Sequence, residues 1–186
     1  MRRDAARILD EYLVASARAG DRAAFSQLAE RWQPKLLAHA YRLMGDREAA
    51  RDIVQDGWGD IVKGVNRLND AATFPAWAYR IISRRAADSI RRLQRQRKIN
   101  SSYAHEPKPS AVSAASIEAG ADALPLSRAI ATLPAGQRAA IALFYLEGFS
   151  VMEISIALSV PVGTVKTRLM TARRKLRAVL EGDSHV

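Results

Sequence analysis

The sequence predicts an all-α protein made of two small helical domains that a flexible linker joins. Three observations lead to this prediction. Apolar residues recur at helical spacing over most of the chain, no stretch alternates as a half-buried strand does, and one internal segment has no apolar periodicity. The chain has 186 residues, of which 48% are apolar and 26% charged, a balance typical of folded domains. This length allows one domain or two small ones.

The segment without periodicity is residues 99–121. Fourteen of its 23 residues are Ser, Ala, Pro or Gly, a composition typical of a linker. The linker divides the chain into a domain at 1–98 and a domain at 122–186.

Each domain has four predicted helices. In the N-terminal domain they cover residues 4–18, 21–45, 46–65 and 74–98. Pro34 predicts a kink or break in the second of them. In the C-terminal domain they cover residues 124–132, 135–147, 151–158 and 162–181.

Several classes of function are excluded by residues that the sequence lacks. It has no cysteine, so disulfides, thiolate metal sites and cysteine nucleophiles are ruled out. The three histidines are far apart, and there is no phosphate-binding loop or nucleophile elbow. We therefore expect no enzymatic activity, no metal and no cofactor. No apolar run approaches the roughly 20 residues that cross a bilayer, and no secretory signal is present, so we expect no membrane insertion and a cytoplasmic location.

The positive charge is concentrated in two places. The formal net charge is +10, and residues 66–98 alone carry nine basic and two acidic side chains, with a second basic cluster at 173–177. Such clusters are typical of proteins that bind a polyanion, because each phosphate contact releases condensed counterions. Solvated helix faces give a similar composition, so charge alone favours a nucleic-acid partner without establishing it.

The C-terminal domain contains a pattern typical of a helix-turn-helix. Ser150 and Glu153 form a predicted capping box at the start of a short helix, and a turn at 159–161 leads into a longer one. On the longer helix the apolar residues form one stripe: Val165, Leu169, Ala172, Leu176 and Val179. The opposite side is polar and basic, as in a helix that enters the major groove. An ordinary helical hairpin with a solvated face is the alternative.

The helix at 46–65 has an outer face of a different character. This face is mainly acidic and amide, and consists of Asp52, Gln55, Asp56, Asp60 and Lys63. DNA would repel it, whereas a basic protein surface would attract it. A plain solvated face is the alternative.

The helix that begins at Phe74 carries an aromatic residue and arginines on one stripe, at spacings of 3, 4 and 7: Trp77, Arg80, Arg84 and Arg91. Stacking combined with positive charge suits single-stranded or melted DNA. The preceding polar loop, residues 66–73, is suited to surround an extruded base. For Trp77 considered alone, packing in the core is the more common environment.

In these residues the chain resembles the extracytoplasmic-function (ECF) sigma factors, a two-domain class of bacterial transcription initiation factors within the sigma-70 family. Three stretches carry the resemblance: GDREAARDIVQD at 45–56, FPAWAYRI at 74–81, and the C-terminal motifs between 133 and 168. They occur in the family's order with a linker between them. The resemblance implies a sigma region 2 bundle at 1–98 and a sigma region 4 helix-turn-helix at 122–186.

The resemblance also implies a function and partners. Such a subunit binds core RNA polymerase, directs it to promoter DNA and helps to open the duplex, while the polymerase itself makes RNA. Regulation by a stress or another signal through an anti-sigma factor is expected. We therefore expect three partners: core RNA polymerase, promoter DNA and an anti-sigma factor.

Roles follow from the resemblance position by position. Contact with the polymerase core is implied for Asp52, Gln55 and Asp56. Contact with the minus-ten element is implied for Asn66, Asn69, Thr73, Trp77, Arg80, Arg84 and Arg91. Reading of the minus-thirty-five element is implied for Lys166, Thr167, Met170 and Thr171, with Arg168 and Arg173 on phosphates.

The sequence departs from the family pattern at a few positions. Arg84 stands where many members have asparagine, and Ser155 replaces a common alanine. Ser159 stands where the turn of the helix-turn-helix usually has glycine. We expect Ser155 and Ser159 to strain the local packing mildly.

Two other functions remain as alternatives. A helix-turn-helix regulator that binds duplex DNA as a dimer would explain the C-terminal domain, but it gives no role to the acidic face or to the Trp/Arg stripe. A sigma-like decoy for an anti-sigma factor is the second alternative. Such decoys usually carry a receiver domain, and no stretch here has its alternating strands and helices.

Overall fold

The computed structural model describes residues 2–101 and 129–182, and within these ranges it contains helices and no strand, which confirms the all-α prediction. The helices are α1 (Arg2–Arg18), α2 (Arg22–Met44), α3 (Arg47–Gly64), α4 (Phe74–Ser101), α5 (Ala135–Tyr145), α6 (Val151–Leu158) and α7 (Val162–Gly182). We call α1–α4 the N-terminal bundle and α5–α7 the C-terminal bundle. Helix α4 extends three residues into the predicted linker, the rest of which lies outside the described residues, as does most of the helix predicted at 124–132.

The predicted break at Pro34 is wrong, because α2 runs through it without interruption. A proline inside a helix costs about 3 kcal/mol. Trp32 and Leu36 lie on either side of it and are almost fully buried, and the burial of each contributes about 2 kcal/mol or more. The N-terminus of the helix is also capped, because the Asp21 carboxylate accepts hydrogen bonds from two backbone N–H groups of the first turn. Burial and capping together offset the lost hydrogen bond.

The core of the N-terminal bundle is built around three aromatic rings. The Trp32 ring meets Phe74 edge-on at 5.2 Å and Tyr79 at 5.6 Å between centroids. His39 is fully buried beside them, and its Nε2 lies 2.9 Å from the Ser83 hydroxyl. Burial, followed by the nearby positive charge of Arg42, lowers the His39 pKa to about 3. The imidazole is therefore neutral at pH 7.

Helices α3 and α4 lie unusually close together at two glycines. A Cβ at Gly57 would collide with the end of the Ile82 side chain, and a Cβ at Gly64 would lie 2.7 Å from the Trp77 ring. Because Gly57 meets the later residue of α4 and Gly64 the earlier one, the two helices are antiparallel. This close approach fixes the distance between the predicted polymerase-binding face and the predicted DNA-binding helix.

The two bundles pack against each other and share one hydrophobic core. Helix α4 lies along α6, and α2 lies along α5. Tyr79 and Phe149 meet at this boundary edge to face, with 5.5 Å between ring centroids, and both side chains are buried. Packing as well as the chain connection therefore holds the bundles together.

Polar contacts also cross the boundary between the bundles. The Arg138 guanidinium donates two hydrogen bonds, of 3.0 and 2.7 Å, to the carbonyl oxygen of Arg42 near the end of α2. This oxygen is one of the last carbonyls of the helix, which lack partners within it, and a cation there also complements the helix dipole. Lys35 pairs with Glu147 at 3.6 Å. We call Arg138, Glu147, Lys35 and the Arg42 carbonyl the interbundle latch.

Ser159 ends α6 in a left-handed conformation, with φ of 53°. Among the described residues it is the only non-glycine with a positive φ. A Cβ in this region costs about 1 kcal/mol. The mild strain that the sequence predicted at this position is therefore found in the backbone.

Replacing Ser159 by glycine is expected to stabilise the protein by about 0.5–1 kcal/mol, since glycine adopts positive φ without a steric penalty but loses more entropy on folding. Urea unfolding followed by circular dichroism measures the difference. A β-branched residue at the same position, Ser159→Val, serves as the control and should destabilise the protein. Equal stability of wild type and Ser159→Gly would contradict the argument.

Candidate protein and nucleic-acid interfaces

The predicted polymerase-binding residues lie together on the outer face of α3. Asp52, Gln55 and Asp56 are all exposed. Within the described part of the chain, Asp52 and Gln55 form no side-chain hydrogen bond or ion pair, whereas Asp56 pairs with Arg85 of α4 at 3.0 Å. Glu48 and Asp46 at the start of the same helix continue the acidic character. The face presents carboxylates that a basic partner surface can reach.

The polar loop between α3 and α4 consists of two short 3-10 turns, Val65–Arg67 and Ala71–Thr73. The Asp70 carboxylate accepts a hydrogen bond from the N–H of Ala72, and the Thr73 hydroxyl donates one of 2.6 Å to the Asp70 carbonyl. Buried Leu68 anchors the middle of the loop. Asn66 and Asn69 are exposed. Their amides thus project from a loop whose backbone is fixed, as recognition of an unpaired base requires.

Trp77 lies half-buried between α3 and α4. Its ring packs against Gly64 and lies 6.0 Å from the Phe74 ring. One side of the indole ring therefore packs against the core, as the alternative interpretation of this residue predicted. The half-buried side chain keeps only part of its surface for contact with DNA.

The predicted DNA-facing arginines of α4 line a groove between the two bundles. Arg80, Arg84 and Arg91 are exposed. Arg80 and Arg84 have no ion-pair partner among the described residues, and Arg91 pairs with Asp88 at 2.6 Å. The groove has a volume of about 550 Å³, and its opposite wall is formed by the C-terminal bundle: Ala135, Gly136, Leu158, Ser159, Val160 and Arg168. The C-terminal bundle therefore stands directly over the predicted minus-ten stripe.

Helix α7 has the two faces that the sequence predicts. Val165, Leu169 and Ala172 are buried, and Leu176 packs against the core, whereas Val179, the last predicted member of the stripe, is exposed because it lies beyond the helices that α7 packs against. The capping box at the start of α6 is also present, since Ser150 and Glu153 hydrogen-bond each other's backbone N–H. The short capped helix, the turn and the amphipathic helix together form a helix-turn-helix.

The outer face of α7 carries the predicted base-reading side chains. Lys166, Thr167 and Met170 are exposed, and Thr171 is half-buried. The Thr167 hydroxyl donates a hydrogen bond of 3.0 Å to the carbonyl of Gly163 in its own helix, so that its methyl group and its oxygen lone pairs remain for a partner. These residues lie in the N-terminal half of the helix, where a recognition helix contacts base edges.

Arg168 and Arg173, predicted to contact phosphates, have different surroundings. The Arg168 guanidinium lies against Gly136 and lines the groove between the bundles. Arg173 donates a 2.9 Å hydrogen bond to the Tyr145 hydroxyl and lies over the rings of Phe144 and Tyr145, 5.2 and 5.6 Å from their centroids. Arg173 is thus held in place by aromatic residues at the end of α5. Arg168 is separated from the other members of the predicted minus-thirty-five set.

Two arginines of structural importance had no role assigned from the sequence. Arg85 binds Asp56 and Asp60 of the acidic face, and Arg138 joins the bundles. Asp56 and Asp60 are one turn apart on the predicted helix, which could have indicated a shared cation. For Arg138 the sequence offers no comparable signal, because its partner is a backbone carbonyl 96 residues away.

The described residues contain no helix long and apolar enough to cross a membrane. Over the same ranges no group of three or more histidine, aspartate or glutamate side chains has a geometry that could hold a metal ion.

Comparison with known proteins gives matches over most of the chain. Residues 28–96 match the family model of Sigma-70 region 2, and residues 123–176 match that of Sigma-70, region 4. The ECF RNA polymerase sigma factor SigM of Mycobacterium tuberculosis strain H37Rv is 32% identical over 92% of this chain and 84% of its own length. SigW of Bacillus subtilis strain 168 is 28% identical over 90% of this chain and 94% of its own length.

Two solved structures resemble the whole fold. The sigma factor RpoE of Bartonella quintana, in complex with the anti-sigma factor NepR, matches with a TM-score of 0.66 and 25% identity over 84% of this chain and 96% of that chain. CnrH, in complex with the cytosolic domain of CnrY, matches with a TM-score of 0.62 and 25% identity. The match covers 94% of this chain and 99% of that chain.

Proposed function

Because this chain belongs to the extracytoplasmic-function sigma factors of the sigma-70 family, which direct RNA polymerase to promoters, we propose that its work is divided among three surfaces. The acidic face of α3 binds the polymerase core. The loop and arginine stripe of the N-terminal bundle bind the minus-ten element, and the outer face of α7 reads the minus-thirty-five element. The carrying observation is that exposed carboxylates cluster on α3, whereas Arg80 and Arg84 of α4, which have no ion-pair partner among the described residues, line the groove beside the C-terminal bundle.

Charge supports the assignment of the acidic face. Asp52 and Asp56 lie exposed in a chain with a formal net charge of +10. A phosphate backbone would be repelled by them, whereas a basic protein surface would be attracted and oriented. In this proposal Asp52, Gln55 and Asp56 contact the polymerase core.

The assignment of the minus-ten surface is supported by the fixed loop and the free guanidinium groups. Asn66, Asn69 and Thr73 would surround an extruded base, and Arg80 and Arg84 would follow the backbone of the melted strand. Trp77 would offer the edge of its ring. The chain itself catalyses no reaction in this proposal.

The minus-thirty-five surface is the outer face of α7. Lys166, Thr167, Met170 and Thr171 would face the major groove, where lysine and threonine can hydrogen-bond base edges and methionine can contact a thymine methyl. Arg173, which donates a hydrogen bond to the Tyr145 hydroxyl, would contact a phosphate.

We further propose the domain limits 1–98 and 122–186, with a linker at 99–121 and a cytoplasmic location. The matched family regions end at 96 and begin at 123, which supports these limits. An anti-sigma factor is proposed as a third partner, since the similar solved structure of RpoE holds one. The anti-sigma factor would bind the protein while its two bundles are packed together.

The packed arrangement must open when the promoter is bound. The two promoter elements are named for positions 25 base pairs apart, a distance of about 85 Å along the duplex. A packed protein of this length has a radius of gyration of only about 16 Å. The 27 residues 102–128 would span at most about 90 Å if fully extended, which is enough to bridge the elements. Binding to both elements therefore requires that the bundles separate.

Gel filtration with core RNA polymerase tests the proposed function. We expect the protein to form a one-to-one complex with the core polymerase. We also expect this complex to produce run-off transcripts. Failure to associate with the core, together with dimerisation on duplex DNA, would instead support a conventional helix-turn-helix regulator.

Paired substitutions test the division of the surfaces. Asp52→Ala with Gln55→Ala is expected to weaken core binding about tenfold and to leave promoter preference unchanged, because the acidic face does not touch DNA. Lys166→Ala should keep core affinity and change the preference at the minus-thirty-five element by about fivefold or more. Core affinity and transcription from a panel of minus-thirty-five variants are the two measurements. Identical behaviour of both variants would contradict the division of labour.

A further inference from the structure

Arg85 of α4 joins two carboxylates of α3 through one guanidinium group. Its Nε donates a 2.7 Å hydrogen bond to Asp60, and its Nη1 donates one of 3.0 Å to Asp56. The Asp56 side chain is 67% exposed and that of Arg85 only 31%. The arginine is thus the less exposed partner, and it hydrogen-bonds a carboxylate that otherwise projects into solvent.

The close approach of α3 and α4 places these groups within reach of each other. Gly57 directly follows Asp56 and lies against Ile82, one turn before Arg85. A larger residue at 57 would move the helices apart at this point. The arrangement is therefore set by the core and does not depend on the ion pairs alone, which at a surface contribute little to stability.

The two carboxylates hold the guanidinium unequally. The hydrogen bond from Arg85 lowers the pKa of Asp60, and the same hydrogen bond raises the pKa of Arg85. The bond to Asp60 is also the shorter of the two. Asp60 therefore anchors the guanidinium, and the Nη1 group is directed at Asp56.

We propose that Arg85 is a positioning residue for polymerase binding, which holds the Asp56 carboxylate in one orientation beside Asp52 and Gln55. The inference rests on the proposed function of this face. A basic partner surface would meet a carboxylate whose rotamer is already restricted, so that less side-chain entropy is lost on binding. The second oxygen of the Asp56 carboxylate remains for the partner's cation.

Removal of Arg85 has two opposing effects on binding to a basic surface. The acidic face would gain a net negative charge, which would strengthen long-range attraction, while the order of Asp56 would be lost. Exposed charges are screened over about 10 Å at 0.1 M salt. At this ionic strength and above, we expect the loss of order to dominate.

The experiment measures the affinity of labelled full-length protein for core polymerase by fluorescence anisotropy at 0.15 M salt. Arg85→Ala is expected to weaken binding about fivefold. In the Asp56→Ala background the same substitution should change affinity less than twofold, because the group that it positions is gone. Arg85→Lys should restore binding only in part, since one ammonium group lacks the fixed fork of the guanidinium.

Arg22→Ala is the matched control, because it removes the same charge from an exposed helix position without touching a carboxylate. It should bind the core as the wild type does. Thermal unfolding of Arg85→Ala that coincides with wild type would show that the fold is intact. Wild-type affinity of Arg85→Ala, or equal loss in the presence and absence of Asp56, would overturn the inference while the proposed function stands. Failure of the wild type to bind the core would instead overturn the proposed function.

Discussion

Replacing Arg138 by alanine is expected to separate the two bundles and to raise the radius of gyration above the roughly 16 Å of the packed protein. The Arg138 guanidinium donates to the carbonyl of Arg42 across the boundary and to those of Ala131 and Leu133 on its own side of it. Only the Arg42 carbonyl loses a donor across the boundary, which costs about 2 kcal/mol and corresponds to a roughly 30-fold shift from the closed to the open arrangement. The expansion can be measured by small-angle X-ray scattering.

A fluorescence measurement tests the same prediction in solution at low concentration. Because the chain has no cysteine, single cysteines can be placed at exposed Glu48 and Lys175, one in each bundle, and labelled with a donor and an acceptor. Energy transfer should fall in the Arg138→Ala variant. Arg174→Ala, an exposed arginine on α7, is the control and should leave transfer unchanged. Undiminished transfer in Arg138→Ala would show that Arg138 does not hold the bundles together.

Glu147 provides a second variant, which leaves the hydrogen bonds of Arg138 within its own bundle intact. Burial lowers the pKa of Arg42, and the charge of Glu147, which pairs with Lys35, offsets part of that effect. Glu147→Gln removes this compensation and should also favour the open arrangement. The interface thus contains charged groups beside its hydrophobic contacts, and each charged contact that is lost favours the open arrangement. A closed arrangement of this kind is suited to a protein that must open on its promoter.

Features that depend on local sequence were the most predictable. The capping box of Ser150 and Glu153, the apolar stripe of α7 and the polar loop at 66–73 all follow from residue type and short spacing. The structure confirms the capping box and the stripe as far as Leu176. The left-handed Ser159 could be anticipated because a helix so often ends in glycine at this place. Of the kink or break predicted at Pro34, the break is wrong, because local propensity cannot take into account the burial of its neighbours.

Features that depend on distant contacts could not be predicted from the sequence. The packing of the bundles rests on Tyr79 against Phe149 and on Arg138 at the Arg42 carbonyl, pairs that are 70 and 96 residues apart. The environment of Arg168 follows from that packing and from no property of its own helix. Tyr145, which holds Arg173, lies 28 residues before it in the chain. In each case one partner is a common residue without a distinctive pattern around it.

Lowering the pH from 7 to 3.5 is expected to destabilise the protein strongly through His39. This side chain is fully buried, and its pKa is lowered to about 3 by burial and by the charge of Arg42. In the unfolded chain the pKa is about 6.5, so between these values the unfolded state binds one more proton than the folded state. Stability from this group is present above pH 6.5 and is lost as the pH falls, by up to about 1.4 kcal/mol per pH unit. The total loss by pH 3.5 is about 4 kcal/mol.

Urea unfolding at a series of pH values measures this loss, and His39→Gln isolates the contribution of the histidine. Glutamine does not titrate and can still hydrogen-bond the Ser83 hydroxyl that His39 contacts. Carboxylates such as Asp60, whose pKa Arg85 lowers, also contribute to acid destabilisation, but they do so equally in both proteins. The difference between the two curves should therefore grow below pH 6.5. Parallel curves over this range would mean that His39 is protonated in the folded protein, which a fully buried imidazole near the positive charge of Arg42 should resist.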